Sequence, residues 1–170
     1  MLMALLGRTD LDVFPLCLGG NVFGWTADEP QSHAVLDAYA AAGGNFVDTA
    51  NSYLVEHGRS ETIIGRWLAD RGNHDEIVLA TKVGGGRGPV RNLRAETIER
   101  EAHASLERLQ TDRIDLYYAH FDDEQTPLEE SLRAFDALVR AGVRVEDGAG
   151  LRLVGGPAEH VAAEAEGEDV

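Results

Sequence analysis

Asp48, Tyr53, Lys82 and His120 are the side chains whose types and spacing could do chemistry together in this chain. Asp48 closes a short apolar run in N-F-V-D-T-A-N-S-Y, and Tyr53 stands in the turn that follows. Lys82 lies near the end of a second apolar run, residues 77–83, and His120 near the end of a third, residues 114–121. The intervals of 34 and 38 residues each fit one strand, one helix and their loops, a unit of roughly 30 or more residues. In a sheet of parallel strands such positions fall on one rim, where an Asp, a Tyr, a Lys and a His suit proton-coupled chemistry. Lys82 is the most telling of the four, because a lysine inside an otherwise apolar strand needs a partner or an exit to water.

The elements that must position these residues follow from periodicity. Residues 5–15, with Gly7, Pro15 and a Thr9-Asp10 turn, predict a short hairpin able to plug the bottom of a barrel. Residues 16–20 predict a strand ending in Gly19-Gly20, followed by a loop with Phe23 and Trp25. A first helix is expected with Ser32 as cap and Val35, Leu36, Tyr39 and Ala40 inward, stopped at Gly43-Gly44. The strand at residues 45–50 leads to a second helix, capped by Ser60, with Ile63, Ile64, Trp67 and Leu68 inward and Gly72 as its end. The run 77–83 reads as a strand buried on both faces, and residues 84–88 as a flexible glycine-rich loop. That loop lacks the glycine spacing of a dinucleotide or phosphate cradle. A third helix places Ile98, Ala102, Leu106 and Leu109 on one face. Glu99, Arg100, Glu101, Glu107 and Arg108 read as its solvated face, with i,i+4 pairs. Thr126-Pro127-Leu128-Glu129 reads as a capping box for a fourth helix that turns Leu128, Leu132, Phe135 and Val139 inward and ends near Gly142.

Four successive strand-helix units predict an α/β fold in which a parallel sheet curls toward a barrel, with a doubly wound sheet as the competing architecture. After Gly142 the pattern breaks. Residues 141–170 hold seven Asp or Glu, six Gly and no aromatic residue, which cannot supply four more units. A complete eight-unit barrel takes about 200 residues or more, so the expectation is a half barrel over residues 1–142 and a poorly ordered, acidic, Gly- and Ala-rich tail over 143–170.

Charge narrows the partners. A net charge of −15 disfavours nucleic acid and anionic lipid. No stretch approaches the ~20 apolar residues of a membrane span, and the N-terminal apolar run is too short for a secretory signal, so a cytoplasmic location is expected. The single cysteine, Cys17, reads as a small buried hydrophobe. His57 reads as a loop residue near the rim. A metal site built on Asp48, His57 and His120 is set aside, since no closely spaced His pair occurs on one strand.

The chain resembles the aldo-keto reductases. The resemblance is carried by L-G-R-T-D-L-D-V-F-P-L-C-L-G-G-N, by F-V-D-T-A-N-S-Y followed by G-R-S-E-T-I-I-G-R-W-L, by L-A-T-K-V, and by S-L-E-R-L-Q-T-D-R-I-D-L-Y-Y-A-H-F-D-D, in that order. It implies a (β/α)8 barrel that reduces aldehydes or ketones with a nicotinamide cofactor, NADPH in most members and NADH as the alternative. It implies Asp48, Tyr53, Lys82 and His120 as the catalytic set, with Tyr53 as proton donor and Lys82 lowering its pKa. It further implies that Gly20, Asn21, Val22 and Asp48 lie against the cofactor, and Trp25 reads as lining the substrate pocket. The family pattern continues past the fourth helix with a fifth strand and a basic cluster for the adenosine phosphate, neither of which is found here. The chain therefore reads as a truncated or frameshifted product. The rival expectation is a non-catalytic half barrel that self-associates through exposed sheet edges, or an inactive fragment.

Overall fold

The computed structural model describes residues 3–53, 56–86 and 91–141. The expected tail, the end of the fourth helix at Gly142, and Arg87 and Gly88 of the glycine-rich loop lie outside the described residues. The elements, in chain order, are β1 (Ala4–Leu5), β2 (Asp12–Val13), β3 (Leu18–Gly19), α1 (Glu29–Ala41), β4 (Phe46–Asp48), α2 (Arg59–Arg71), β5 (Val78–Val83), α3 (Ala95–Leu109), β6 (Leu116–Ala119) and α4 (Leu128–Arg140). Strands β1 and β2 form an antiparallel hairpin. The other four form one parallel sheet in the order β3-β4-β5-β6. Sequential strand order, with every helix packed on the same face, is the arrangement of half a (β/α)8 barrel; a doubly wound sheet would place helices on both faces.

The two faces of the sheet are buried differently. Val47, Leu79, Val83 and Tyr117 point at the helices and join Leu36, Ile63, Ile64, Trp67, Ile98, Leu109 and Phe135 in the main core. Phe46, Ala80 and Leu116 point the other way and meet Val13, with Leu6 and Leu11 of the hairpin alongside. The hairpin thus covers the end of that face where the strands begin, as the plug reading expects. Cys17 corrects an expectation, because it is exposed. Gly19 pairs with Asp48, so Cys17, two residues earlier, stands on the face that carries no helix. No helix among the described residues is long and apolar enough to cross a membrane.

Caps are where local sequence signals and the fold diverge. Helix α1 begins at a capping box of Asp28 and Gln31, with Pro30 in its first turn. Ser32 lies inside the helix and donates to the Asp28 carbonyl at 2.7 Å. Ser60 is not a cap either: its hydroxyl donates to the Gly20 carbonyl at 2.7 Å and accepts from Thr49 at 2.8 Å. Gly58, at φ 76°, takes the cap position of α2. Thr126 bonds Asp123 rather than closing a box on α4. The phase of α4 follows its apolar pattern only in part, with Phe135 and Val139 packed on the core. Ser131, Phe135 and Leu138 face inward, while Leu128 and Leu132 are exposed. The reason is an anchor across the chain, in which Ser131 donates to the Leu93 carbonyl at 2.8 Å. Val35 of α1 is likewise exposed.

Candidate active site

Strand register explains how residues so far apart in sequence share one face. Asp48 pairs with Ala80, and Lys82 is two residues beyond Ala80 on the same side of β5. Lys82 pairs with Tyr118, and His120 is two residues beyond Tyr118. Each of these positions therefore climbs two residues per strand, the stagger that closes barrels. All three side chains emerge where the strands end, opposite the hairpin.

The contacts at that rim are short. Lys82 Nζ donates to Asp48 Oδ2 at 2.6 Å, to the Thr49 carbonyl at 2.7 Å and to Tyr53 Oη at 2.7 Å. The phenol in turn donates to Asp48 Oδ2 at 3.1 Å. An ammonium has three protons, and here each has an acceptor. The apolar strand thus tolerates Lys82, whose side chain is 16% exposed, because its charge is paired. The His120 ring meets Tyr53 edge to face, with centroids 5.6 Å apart, and stacks on Phe121.

Electrostatics separate the two groups that can move protons. Burial, then the charge and hydrogen bond of Asp48, push the Tyr53 phenol well above its ordinary range. The net shift is therefore upward, against the expected lowering: the phenol donates its proton to Asp48, and ionisation would set two anions side by side. Tyr53 consequently remains a phenol, able to donate. For His120, burial and then the Lys82 charge hold the imidazole below its ordinary value, against the opposing pull of Asp48. The folded state accordingly binds fewer protons than the unfolded chain as pH falls through about 6.5, so stability is intact above that value and declines below it. Denaturation at pH 7.5 and pH 5.5 should show this decline, reduced in His120→Gln.

Two residues that the sequence reading passed over complete the rim. Ser52 Oγ lies 3.0 Å from His120 Nδ1 and ties the imidazole to the Tyr53 loop. Gly85 is buried beneath this pair: a Cβ there would meet Ser52 Oγ at 2.3 Å and His120 Nδ1 at 2.4 Å. The glycine-rich loop is therefore a close packing surface at this position. Gly85→Ala is expected to break the Ser52–His120 contact without unfolding the helical layer, seen as a shifted His120 ring signal in NMR with unchanged far-UV circular dichroism. Only the place of Ser52 next to Tyr53 hinted at its role in the sequence.

The expected cofactor residues are less uniform. Gly20 is buried, its N–H donating to the Asp48 carbonyl at 2.7 Å and its own carbonyl taken by Ser60. Asn21 is exposed, Val22 is half-buried against the core, and Trp25 is 70% exposed. His57 is not at the rim; it pairs with Glu101 on the helical side at 2.8 Å. Glu101 and Arg108 also correct an expectation, since neither belongs to a solvated face. Glu101 is 5% exposed, and Arg108 is spent on the fully buried Glu61 at 2.7 Å.

The model of the aldo/keto reductase family matches residues 15–144. An uncharacterized oxidoreductase, YrpG, of Bacillus subtilis is 42% identical over 147 residues, covering 81% of this chain and 45% of that protein. Norsolorinic acid reductase stcV of Emericella nidulans is 41% identical over 146 residues, covering 76% of this chain and 37% of its own length. Aldo-keto reductase ausK of Aspergillus calidoustus is 41% identical over 147 residues, covering 76% and 37% respectively. The chain spans less than half the length of these relatives.

Proposed function

The chain belongs to the aldo/keto reductase family, and from that membership and the rim geometry we propose that it is built to reduce an aldehyde or ketone to an alcohol with a reduced nicotinamide dinucleotide. The observation that carries this reading is Lys82 bonded at once to Asp48 and Tyr53. When bound, the cofactor would supply the hydride that reaches the carbonyl carbon. Tyr53 gives its proton to the carbonyl oxygen, so that C=O becomes CH–OH, and it is reprotonated from solvent. Its raised pKa keeps that proton available at neutral pH. As the proton leaves, the nearby ammonium of Lys82 stabilises the negative charge left on the phenol oxygen, and Asp48 holds Lys82 in place. His120 directs Nε2–H at the carbonyl oxygen, provided Ser52 donates to Nδ1, and acts as an oxyanion donor does.

The residues on hand fit part of a cofactor site. Asp48 uses Oδ2 for both Lys82 and Tyr53, so Oδ1 would receive a ribose hydroxyl. Asn21 offers an exposed amide and Val22 an apolar contact, whereas Gly20, packed against Ser60, Ile64 and Phe23 with its backbone groups taken, would only seat the strand end that carries them. Trp25 would close over the substrate. NADPH is the form proposed, with NADH as comparison. The location proposed is the cytoplasm, with no nucleic-acid or membrane partner, in keeping with the acidic charge. Titration of the purified chain with NADPH, followed by cofactor fluorescence, tests the reading. Saturable binding and carbonyl-dependent oxidation are expected, and no binding up to millimolar NADPH would overturn it.

A second reading, a half barrel that associates with another copy, is favoured by one observation. Among the described residues β3 and β6 each pair with one neighbour only, and unpaired edges invite association. Sedimentation velocity across a range of concentrations separates the two readings.

A further inference from the structure

The rim residues Ser52 and Tyr53 sit on a loop, and the loop is held by a carboxylate on the other side of the sheet. Asn51 and His57 flank Tyr53, and the base between them is closed by the Gly58 N–H donating to the Asn51 carbonyl at 2.7 Å. Both side chains converge on one oxygen of Glu101 in α3: Asn51 Nδ2 donates to Oε2 at 3.0 Å, and His57 Nε2 lies 2.8 Å from it. Arg100 borders the other oxygen at 3.3 Å. Asn51 is fully buried, and its amide oxygen has no partner among the described residues. Its side chain is therefore oriented by Glu101, since the flipped amide would set two acceptors face to face.

A carboxylate that is 5% exposed on a helix face is costly unless it is paired and hydrogen-bonded. Here those bonds pin both ends of one short loop. From that loop Tyr53 reaches Lys82 and Asp48, and Ser52 reaches His120. We infer that Glu101 is a positioning residue: through Asn51 and His57 it fixes residues 51–53 and 56–58, and thereby the Tyr53 hydroxyl and the Ser52–His120 pair. It touches none of the reacting groups. Its effect on turnover rests on the reductase reading, whereas its effect on the place of Tyr53 does not.

The test reads Tyr53 directly. The full chain is labelled with tyrosine carrying 13C at Cζ; of the four tyrosines, Tyr53 is assigned by the signal lost in Tyr53→Phe. In the wild type the Tyr53 signal should remain that of a phenol at pH ~10, where a free phenol is about half ionised. Glu101→Gln keeps an acceptor for Asn51 and His57 and should leave this signal unchanged. Glu101→Leu should release the loop, raising the Tyr53 phenolate fraction to about half while the Tyr117 and Tyr39 signals keep their folded positions. A Tyr53 signal in Glu101→Leu identical to wild type would overturn the inference. Should Glu101→Leu fail to fold, the pair His57→Ala with Asn51→Ala carries the same expectation from the loop side, and an unmoved Tyr53 signal there overturns it equally. Absence of carbonyl reduction in the wild-type chain would count against the reductase reading alone, because the tyrosine signal is read without cofactor or substrate.

Discussion

Tyr53→Phe is expected to lower carbonyl reduction by about 10²–10⁴-fold, the usual weight of a general acid, with fold and NADPH affinity kept. The substitution removes one oxygen and little else. Lys82 retains Asp48 and the Thr49 carbonyl as acceptors, and the phenyl ring keeps its edge-to-face contact with His120. The pH dependence carries a second signature. Because burial and Asp48 raise the Tyr53 pKa, the acid stays loaded through the neutral range, and its ionisation should cause no fall in the wild-type rate up to about pH 10, where a free phenol is half ionised. A wild-type rate that fell with a midpoint below that pH, and a variant that lacked the fall, would show the phenol to be unshifted. Steady-state NADPH oxidation against pH checks both points, and a variant as fast as wild type would remove Tyr53 from the proposed mechanism.

Arg108→Ala is expected to cost about 3–5 kcal/mol of stability, because it strands a buried carboxylate. Glu61 is fully buried, with Oε1 bonded to Thr81 at 2.6 Å and Oε2 to Arg108 Nε at 2.7 Å. The arginine also bonds Ser105 and runs beneath Gly58, where a Cβ would strike its Cδ at 2.2 Å. Removing the arginine thus unpairs a charge and opens a space between α2, α3 and the Tyr53 loop. Replacing both partners, as in Glu61→Met with Arg108→Leu, should recover much of the loss, since an apolar pair has no charge to desolvate. Denaturant midpoints for the two single variants and the double variant close a cycle, and additive losses would show that the ion pair is not the source of the effect.

Comparison of particular residues shows what each level of description supplies. Asp48, Lys82 and His120 were legible because strand periodicity and unit length are local properties, and even steps along paired strands keep side chains on one face. The inward positions of α2 were legible for a similar reason: Ile63, Ile64, Trp67 and Leu68 recur at helical spacing and are all buried. By contrast, Ser32, Ser60 and Thr126 each carry a sound local capping signal, and each hydroxyl is taken instead by another partner. The α4 phase went the same way, set by Ser131 reaching Leu93 rather than by its leucines.

Charged residues mark the boundary most clearly. Glu101 and Arg108 have the composition and spacing of a solvated face, and nothing in α3 itself says otherwise. Only the packing of α3 against α2 and the Tyr53 loop brings Glu61, Asn51 and His57 within reach, turning surface charges into buried partners. Likewise the upward direction of the Tyr53 shift comes from burial and from Asp48 accepting the phenol proton, conditions that only the assembled sheet brings about. By itself, then, the sequence determined the family, the four strand-helix units and the identities of the rim residues, because these are written in short-range pattern. The tertiary structure alone decided which charges are buried, which hydroxyls cap and what holds the Tyr53 loop, because those depend on distances between segments that no local pattern encodes.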